Sequence, residues 1–248
     1  MTPTGPAELL ATWEAGLAQH ESGRSLLLHR AARPGAGTDE LLSMPVGERE
    51  ADLFALRRAL FGERMQVRVE CASCGEAMEF GLDATLPGAR TRTPDGPLRV
   101  EEDEWVVEFR LPTVADLAAA GAVPDPAAAR RLLVARCTVS AVRGGEAVPS
   151  ERLASLLPER VQQRLAETAA EADPAADVTL NVVCPECGEA TPAELDITSY
   201  LWTELDTWAR DLMLDVHLLA TAYGWNEPEI LALSPLRRRY YLELCADA

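Results

Sequence analysis

Cys71-Ala-Ser-Cys74-Gly75 and Cys184-Pro-Glu-Cys187-Gly188 are two copies of one pattern, CxxCG, and their reading decides the fold. Around the first copy, Met65, Val67 and Val69 alternate with polar residues, as do Met78, Phe80 and Leu82 after it. That period of two predicts a β-hairpin with the cysteines at its turn. An extended segment, Val178 to Val183, delivers the second copy. Asp83 and Asp196 each stand twelve residues beyond the first cysteine of their copy, so the two units form an internal pseudo-repeat. A CxxC turn lets two sulfurs reach one metal ion, and the glycine after it lets the backbone approach them. Two such turns supply four thiolates, the set zinc takes in a closed structural site. The expectation is one structural Zn2+ held by Cys71, Cys74, Cys184 and Cys187. Two separate thiol pairs, redox or otherwise, are the alternative.

The pseudo-repeat resembles the two halves of a rubredoxin-like zinc ribbon, in which each knuckle contributes two ligands. Here 109 residues lie between Cys74 and Cys184. An insertion that leaves and returns on neighbouring strands costs entropy that grows only with the logarithm of its length. The predicted fold class is therefore α+β, a mainly helical protein with a small zinc ribbon made by two distant CxxC hairpins.

Working outward, apolar residues Leu9, Leu10, Trp13 and Leu17 recur at helical spacing, as do Leu53, Leu56 and Leu60 in a helix that Phe61-Gly62 ends. Leu26 to Leu28 form a second apolar patch before a breaker-rich loop at Ala31 to Gly37. Leu86 to Pro97 reads as a loop and Glu104 to Leu111 as a strand. Thr113 with Asp116 caps a short helix, and Asp125-Pro126 opens a stretch read as helical to about Glu171, broken at Gly144-Gly145, with Ser150 capping a further helix. Asp196 to Tyr223 is the longest helix, with Leu201, Leu205, Trp208, Leu212, Val216 and Leu219 as its apolar stripe. Gly224 ends it, Asn226 with Glu229 caps a short turn, and Ser234-Pro235 starts a last helix. Core packing is expected of Trp225, Ile230, Leu231 and Tyr240. The domain reading is an N-terminal helical segment, 1–63; a zinc-ribbon region, 64–113 with 174–196; a helical insertion, 114–173; and a C-terminal helical hook, 197–248.

Composition narrows the function classes. The 248 residues are 48 % apolar and contain no lysine, and their 23 basic against 40 acidic side chains give −17. Such a field repels phosphate backbones, which argues against nucleic acid as a partner. No apolar run is long enough to span a membrane, and the first residues lack a signal-peptide pattern, so the expectation is a cytoplasmic chain used as translated. Cys137 and Cys245 read as buried free thiols, which suits a reducing compartment. Four thiolates leave a metal no open position for water, the three histidines are far apart, and no serine or cysteine is placed to complete a triad with Asp215 and His217. Neither CxxC begins a helix in a redox-type unit, and no glycine loop cradles phosphate. The chain is expected not to be an enzyme. Its densest run of interface residue types is Tyr223-Gly-Trp225 with Arg237, Arg238, Arg239 and Tyr241.

These residues carry a second resemblance. Asp196-Ile-Thr-Ser-Tyr-Leu-Trp202, Val216-His217-Leu-Leu-Ala220, Tyr223 through Pro235 and Arg238-Arg239-Tyr-Tyr241-Leu are similar to the C-terminal part of baseplate-associated proteins of contractile phage tails and phage-like injection systems. The T4-type baseplate hub assembly proteins are the shortest of these. The likeness is strongest over Pro174 to Leu244 and extends more weakly to Leu10 to Leu28 and Phe109 to Thr113. It implies partners among baseplate hub, spike or tube-initiating proteins, with Trp202, His217, Tyr223, Trp225, Arg237, Arg238, Arg239 and Tyr241 as candidate partner-binding positions. The function it implies is chaperone-like assembly of the hub or spike of a contractile injection system, either transiently associated with the particle or incorporated into it. A stoichiometric structural component and a zinc-ribbon adaptor of an unrelated complex are the alternatives.

Overall fold

The computed structural model describes residues 5–84, 94 and 96–246, so most of the loop expected between Leu86 and Pro97 lies outside the described residues. In chain order the elements are α1 (Pro6–Leu17), α2 (Glu21–Ala32), α3 (Thr38–Ser43), α4 (Val46–Phe61), β1 (Arg64–Glu70), β2 (Ala77–Asp83), β3 (Leu98–Glu102) and β4 (Trp105–Phe109). There follow α5 (Val114–Gly121), α6 (Pro126–Cys137), β5 (Thr138–Arg143), β6 (Glu146–Ala147), α7 (Ser150–Leu156) and α8 (Glu159–Ala172). The chain closes with β7 (Thr179–Val183), β8 (Ala190–Glu194), α9 (Ile197–Tyr223), α10 (Glu227–Leu231) and α11 (Pro235–Ala246). Helices predominate and every sheet is small and antiparallel, so the α+β class holds. The chain forms two compact units, Met1–Ala31 with Thr198–Ala248, and Ala32–Ile197.

Within the second unit, α4 sets the start of both cysteine hairpins. At its C-terminal end the buried Arg57 donates to the carbonyls of Gly62 and Arg64, at 2.7 and 2.6 Å, and so fixes the entry into β1. Gly62 terminates the helix at φ +88°, a region that only glycine enters cheaply. At the other end of α4, the Gly47 amide donates to the Asp173 carboxylate at 2.9 Å, a few residues before β7. A Cβ at Gly47 would fall on that carboxylate, which is why the contact needs glycine.

Between the hairpins lies a four-stranded sheet in the order β3-β4-β5-β6. Its inner face, Val100, Trp105, Val107 and Ala141, packs on Leu153, Val161 and Leu165 of α7 and α8. This corrects the helical reading of Asp125 to Glu171. Helix α6 ends at Cys137, and Thr138-Val-Ser-Ala-Val-Arg143 continues as strand because its β-branched residues fit a pleated surface better than a helix. Gly144-Gly145, at φ +57° and +87°, is the two-residue turn of the β5–β6 hairpin, with Arg143 opposite Glu146. At the start of α7 the N-cap is Pro149 rather than Ser150, which is already the first helical residue. The capping box of Thr113 and Asp116, and the Asp125 cap, form as the sequence predicts.

In the first unit, α1 packs antiparallel to α9 through Leu10 against Ala209 and Leu212, and Trp13 donates its indole N–H to Asp206 at 2.8 Å. Gly16 brings the backbones together, since a Cβ there would lie 2.3 Å from the ring of Trp202. Gly16→Ala is expected to destabilise the chain by about 1–2 kcal/mol in urea melts, because overpacking a rigid ring outweighs the gain in helix propensity. Adding Trp202→Leu should recover part of the loss, and a neutral Gly16→Ala would refute the close-packing argument. At the C-terminal end of α9, Val216 and Leu219 join Ile230 of α10 in the core on which Trp225, Tyr241, Leu242 and the half-buried Cys245 rest. Tyr240 is 61 % exposed instead of being in the core. The register of α11 turns positions 238, 241, 242 and 245 inward and leaves 236, 240 and 244 outside.

Candidate metal centre

Both cysteine turns have the same local architecture. In the first, the Cys71 amide donates to the Glu76 carbonyl at 2.8 Å and the Gly75 amide to the Cys71 carbonyl at 2.9 Å. In the second, Cys184 to Glu189 and Gly188 to Cys184 repeat those bonds, each at 2.9 Å. Gly75 and Gly188 sit at φ +76° and +75°, the left-handed conformation that turns the chain back under the sulfurs. The strand registers match as well: Glu70 faces Ala77 and Val183 faces Ala190, so each turn begins one residue before its first cysteine. The repeat visible in the sequence is thus a repeat of backbone geometry.

The two hairpins form separate two-stranded sheets, and the cysteine ends meet. Cys71 Sγ lies 3.6 Å from Cys187 Sγ, and Cys74 Sγ lies 3.6 Å from Cys184 Sγ. All four sulfurs lie within 4.8 Å of one another, and none is in a disulfide. A tetrahedral ion with bonds of about 2.3 Å to sulfur has sulfur–sulfur edges of roughly 3.8 Å, so the donor set fits such an ion in both chemistry and spacing. Cys71 and Cys184 are buried, and Cys74 and Cys187 are exposed.

The titration behaviour of the thiols follows from this crowding. Backbone N–H groups of Cys74 and then Ser73 donate to the Cys71 sulfur and bring its pKa down to about 6. For Cys74 the Glu76 amide acts in the same direction, but Cys187, burial and Cys184 outweigh it and push the thiol up to about 12. Cys187 is also raised: the Glu189 amide and the Cys74 thiol lower it, but Cys71, burial and Cys184 prevail. Four sulfurs this close do not all ionise unaided, whereas a dication among them would draw off the remaining protons.

Sequence reasoning missed one residue of this centre. Thr191, 5 % exposed, places its hydroxyl 3.8 Å from Cys71 Sγ and accepts from the Ala72 amide at 3.4 Å. It occupies the repeat position of Met78, seven residues after the first cysteine of its copy. A polar residue where the other copy has an apolar one was the signal. Met78, Val69 and Val182 supply the apolar contacts at the junction.

The candidate partner-binding residues lie in the first unit. Tyr223 and Trp225 stack at 4.7 Å, and Tyr241 meets both edge-on, at 5.7 and 4.9 Å. Gly224, at φ +69°, makes the turn that allows the stack. Trp202 is half-buried under the Arg24 guanidinium, 4.7 Å from its ring, and His217 is exposed. Arg238 turns inward to Asp215 at 3.0 Å, Arg239 pairs with Glu243 at 2.9 Å, and Arg237 is exposed.

The fold and centre define a class: an α+β protein in which two distant hairpins bring four thiols to one metal-sized site. Comparison with known families makes this specific. The family described as T4 bacteriophage base plate protein matches residues 33–199, and the chain belongs to that family. No curated protein and no solved structure matches the chain. The matched span is nearly coextensive with the unit Ala32–Ile197, so the residues beyond 199 on which the resemblance was read lie outside it. Among the described residues, no helix is long and apolar enough to cross a membrane.

Proposed function

We propose that this baseplate family member is a cytoplasmic, non-enzymatic, chaperone-like assembly factor for the hub or spike of a contractile phage-tail-like injection system, and that its four cysteines hold one structural zinc ion. In this reading residues 64–113 and 174–196 form a zinc-ribbon clamp around the insertion 114–173, while 1–63 and 197–248 supply helical surfaces. Family membership supports the baseplate setting. The observation that carries partner binding is the row Leu236, Tyr240 and Leu244 on α11, exposed at 66, 61 and 61 %. Three large apolar side chains at i, i+4 and i+8 on an outer helix face favour a covered state over an open one. Arg237 beside them is a local reversal of charge on a chain of −17, suited to an acidic partner surface. His217, Tyr223, Arg237 and Arg239 would touch the partner, with Trp225, Arg238 and Tyr241 holding the hook and Trp202 seating α9 on α1.

Covering a hub or spike interface until the ring is ready requires release afterwards. Quantitative mass spectrometry of purified complete particles therefore tests the role: the chain should be present during assembly and absent from finished particles. A fixed copy number in finished particles overturns the assembly-factor reading in favour of a retained structural subunit, the second reading, which the family's description as a base plate protein favours.

A further inference from the structure

The unit Ala32–Ile197 also carries a cleft that neither the cysteine centre nor the C-terminal hook uses. It opens between α6 and α8 at the end of β4, where Phe109, Leu133, Val134 and Leu165 form the walls and Ala166 and Ala169 a low rim. Its volume is about 140 Å³. A cavity of about 150 Å³ lined by such residues admits a benzene ring, so this one has room for a single aromatic or large branched side chain. Ala166 is exposed, which leaves the mouth of the cleft open.

The charge at the mouth is one-sided. Arg130 lines the cleft, is exposed, and makes no ion pair among the described residues. On the other side Arg110 lines it too. Arg110 and Arg136 both grip Asp116, so one carboxylate faces two guanidiniums and the node keeps a positive charge. Among the described residues, no acidic side chain lines the cleft; Glu167, next to Ala166 in sequence, pairs with Arg164, and Asp125 at the start of α6 pairs with Arg131. An apolar hole of one side chain's size beside Arg130 and a node of net positive charge selects an apolar residue next to a carboxylate. That is the anchor-and-rim arrangement of an interface hot spot.

We propose that this cleft is a docking socket for a partner protein segment in which one aromatic or large branched side chain stands beside an acidic residue. The choice of a protein as occupant rests on the baseplate reading above; the socket's chemistry does not. The test uses the metal-loaded full chain, methyl-resolved NMR, and the peptide acetyl-Gly-Asp-Phe-Asp-Gly-amide as probe. Saturable shifts of the Leu133, Val134 and Leu165 methyls are expected, with a Kd of about a millimolar for a single anchored side chain. Replacing Phe by Ala in the peptide should abolish them, and replacing both Asp by Lys should weaken binding at least about threefold. Ala166→Trp, at an exposed position, should plug the mouth and remove binding while metal content stays the same. Arg130→Glu should invert the preference between the Asp and Lys peptides. No saturable shift at these methyls up to about 10 mM, binding undiminished by Ala166→Trp, or an unchanged charge preference in Arg130→Glu each overturns the socket. Because no particle is involved, these outcomes are separate from the particle assay that judges the assembly role.

Discussion

Protein purified without chelator is expected to contain about one zinc per chain, and Cys184→Ser to lose that metal together with roughly 3–4 kcal/mol of stability. The size follows from what else joins the two hairpins. They share no strand pairing, and the apolar contacts at their junction are few, mainly Val69, Met78 and Val182. An isolated two-stranded hairpin is marginal in water, so a metal ion bound by the four thiols would be the main tie between the cysteine ends. An ion that binds only the folded chain stabilises it by RT ln(1 + [Zn]/Kd), roughly 3–4 kcal/mol when free zinc exceeds Kd by a few hundred to a thousand times, and all of that goes when the site is lost. For a chain of this size the loss lowers the thermal midpoint by roughly 6–16 °C. Chelation of the parent protein should produce a similar fall, and the same chelator should add little to Cys184→Ser. Cys137→Ser, a buried thiol outside the cluster, should keep full metal content. Elemental analysis with thermal melts decides the matter: metal-free protein as stable as the zinc-loaded form rejects the structural site.

That centre was legible in the sequence because its information is local and doubled. CxxCG fixes the turn, the left-handed glycine and the position of both sulfurs, and a second copy implies a shared ion. The caps at Thr113, Asp125 and Asn226 were legible for the same reason, since each acts within three residues. What the sequence concealed depends on neighbours distant in the chain. Gly144-Gly145 breaks a helix and also turns a hairpin; only the pairing of β5 with β4 selects the second. Tyr240 and Tyr241 are chemically interchangeable as core candidates, and the packing of α11 on Val216 and Leu219 decides which is buried. Arg238 is one of three consecutive arginines and a candidate partner-binding position in the sequence, yet Asp215 on α9 draws it inward. Thr191 acquires its role only when a knuckle 120 residues away in sequence is brought beside it. The family relationship was legible too, but the matched residues 33–199 include the cysteine turns and the insertion, so the shared signal lies in the second unit rather than in the aromatic hook.

Asp116→Asn is expected to cost about 3–5 kcal/mol at neutral pH, the range for removing one member of a buried ionic network. The side chain of Asp116 is fully buried and accepts from Thr113 twice, at 2.9 and 2.8 Å, from Arg136 at 2.8 Å and from both terminal nitrogens of Arg110. Burial alone would raise its pKa, but the Arg110, Thr113 and Arg136 hydrogen bonds win and hold the carboxyl well below the usual range. The node joins the start of α5 to the end of α6, so its loss loosens two helices at once. Arg110→Ala should cost less, because that side chain is 42 % exposed and Arg136 remains to face the carboxylate. The pH dependence has a definite sign. A carboxyl whose folded pKa is depressed contributes stability that is fully present above its unfolded value, near 3.9, and is lost as pH falls toward the folded value. The gap between parent and Asp116→Asn should therefore be constant from about pH 7 to pH 5 and shrink below about pH 4. Loss of zinc on acidification would destabilise both proteins alike and cancels in the gap once metal contents are matched. Urea melts at about pH 7, 5, 4 and 3 measure it. A gap under about 1 kcal/mol at neutral pH, or one that does not narrow in acid, would show that the carboxylate's neutral hydrogen-bonding shape, and not its charge, holds α5 to α6.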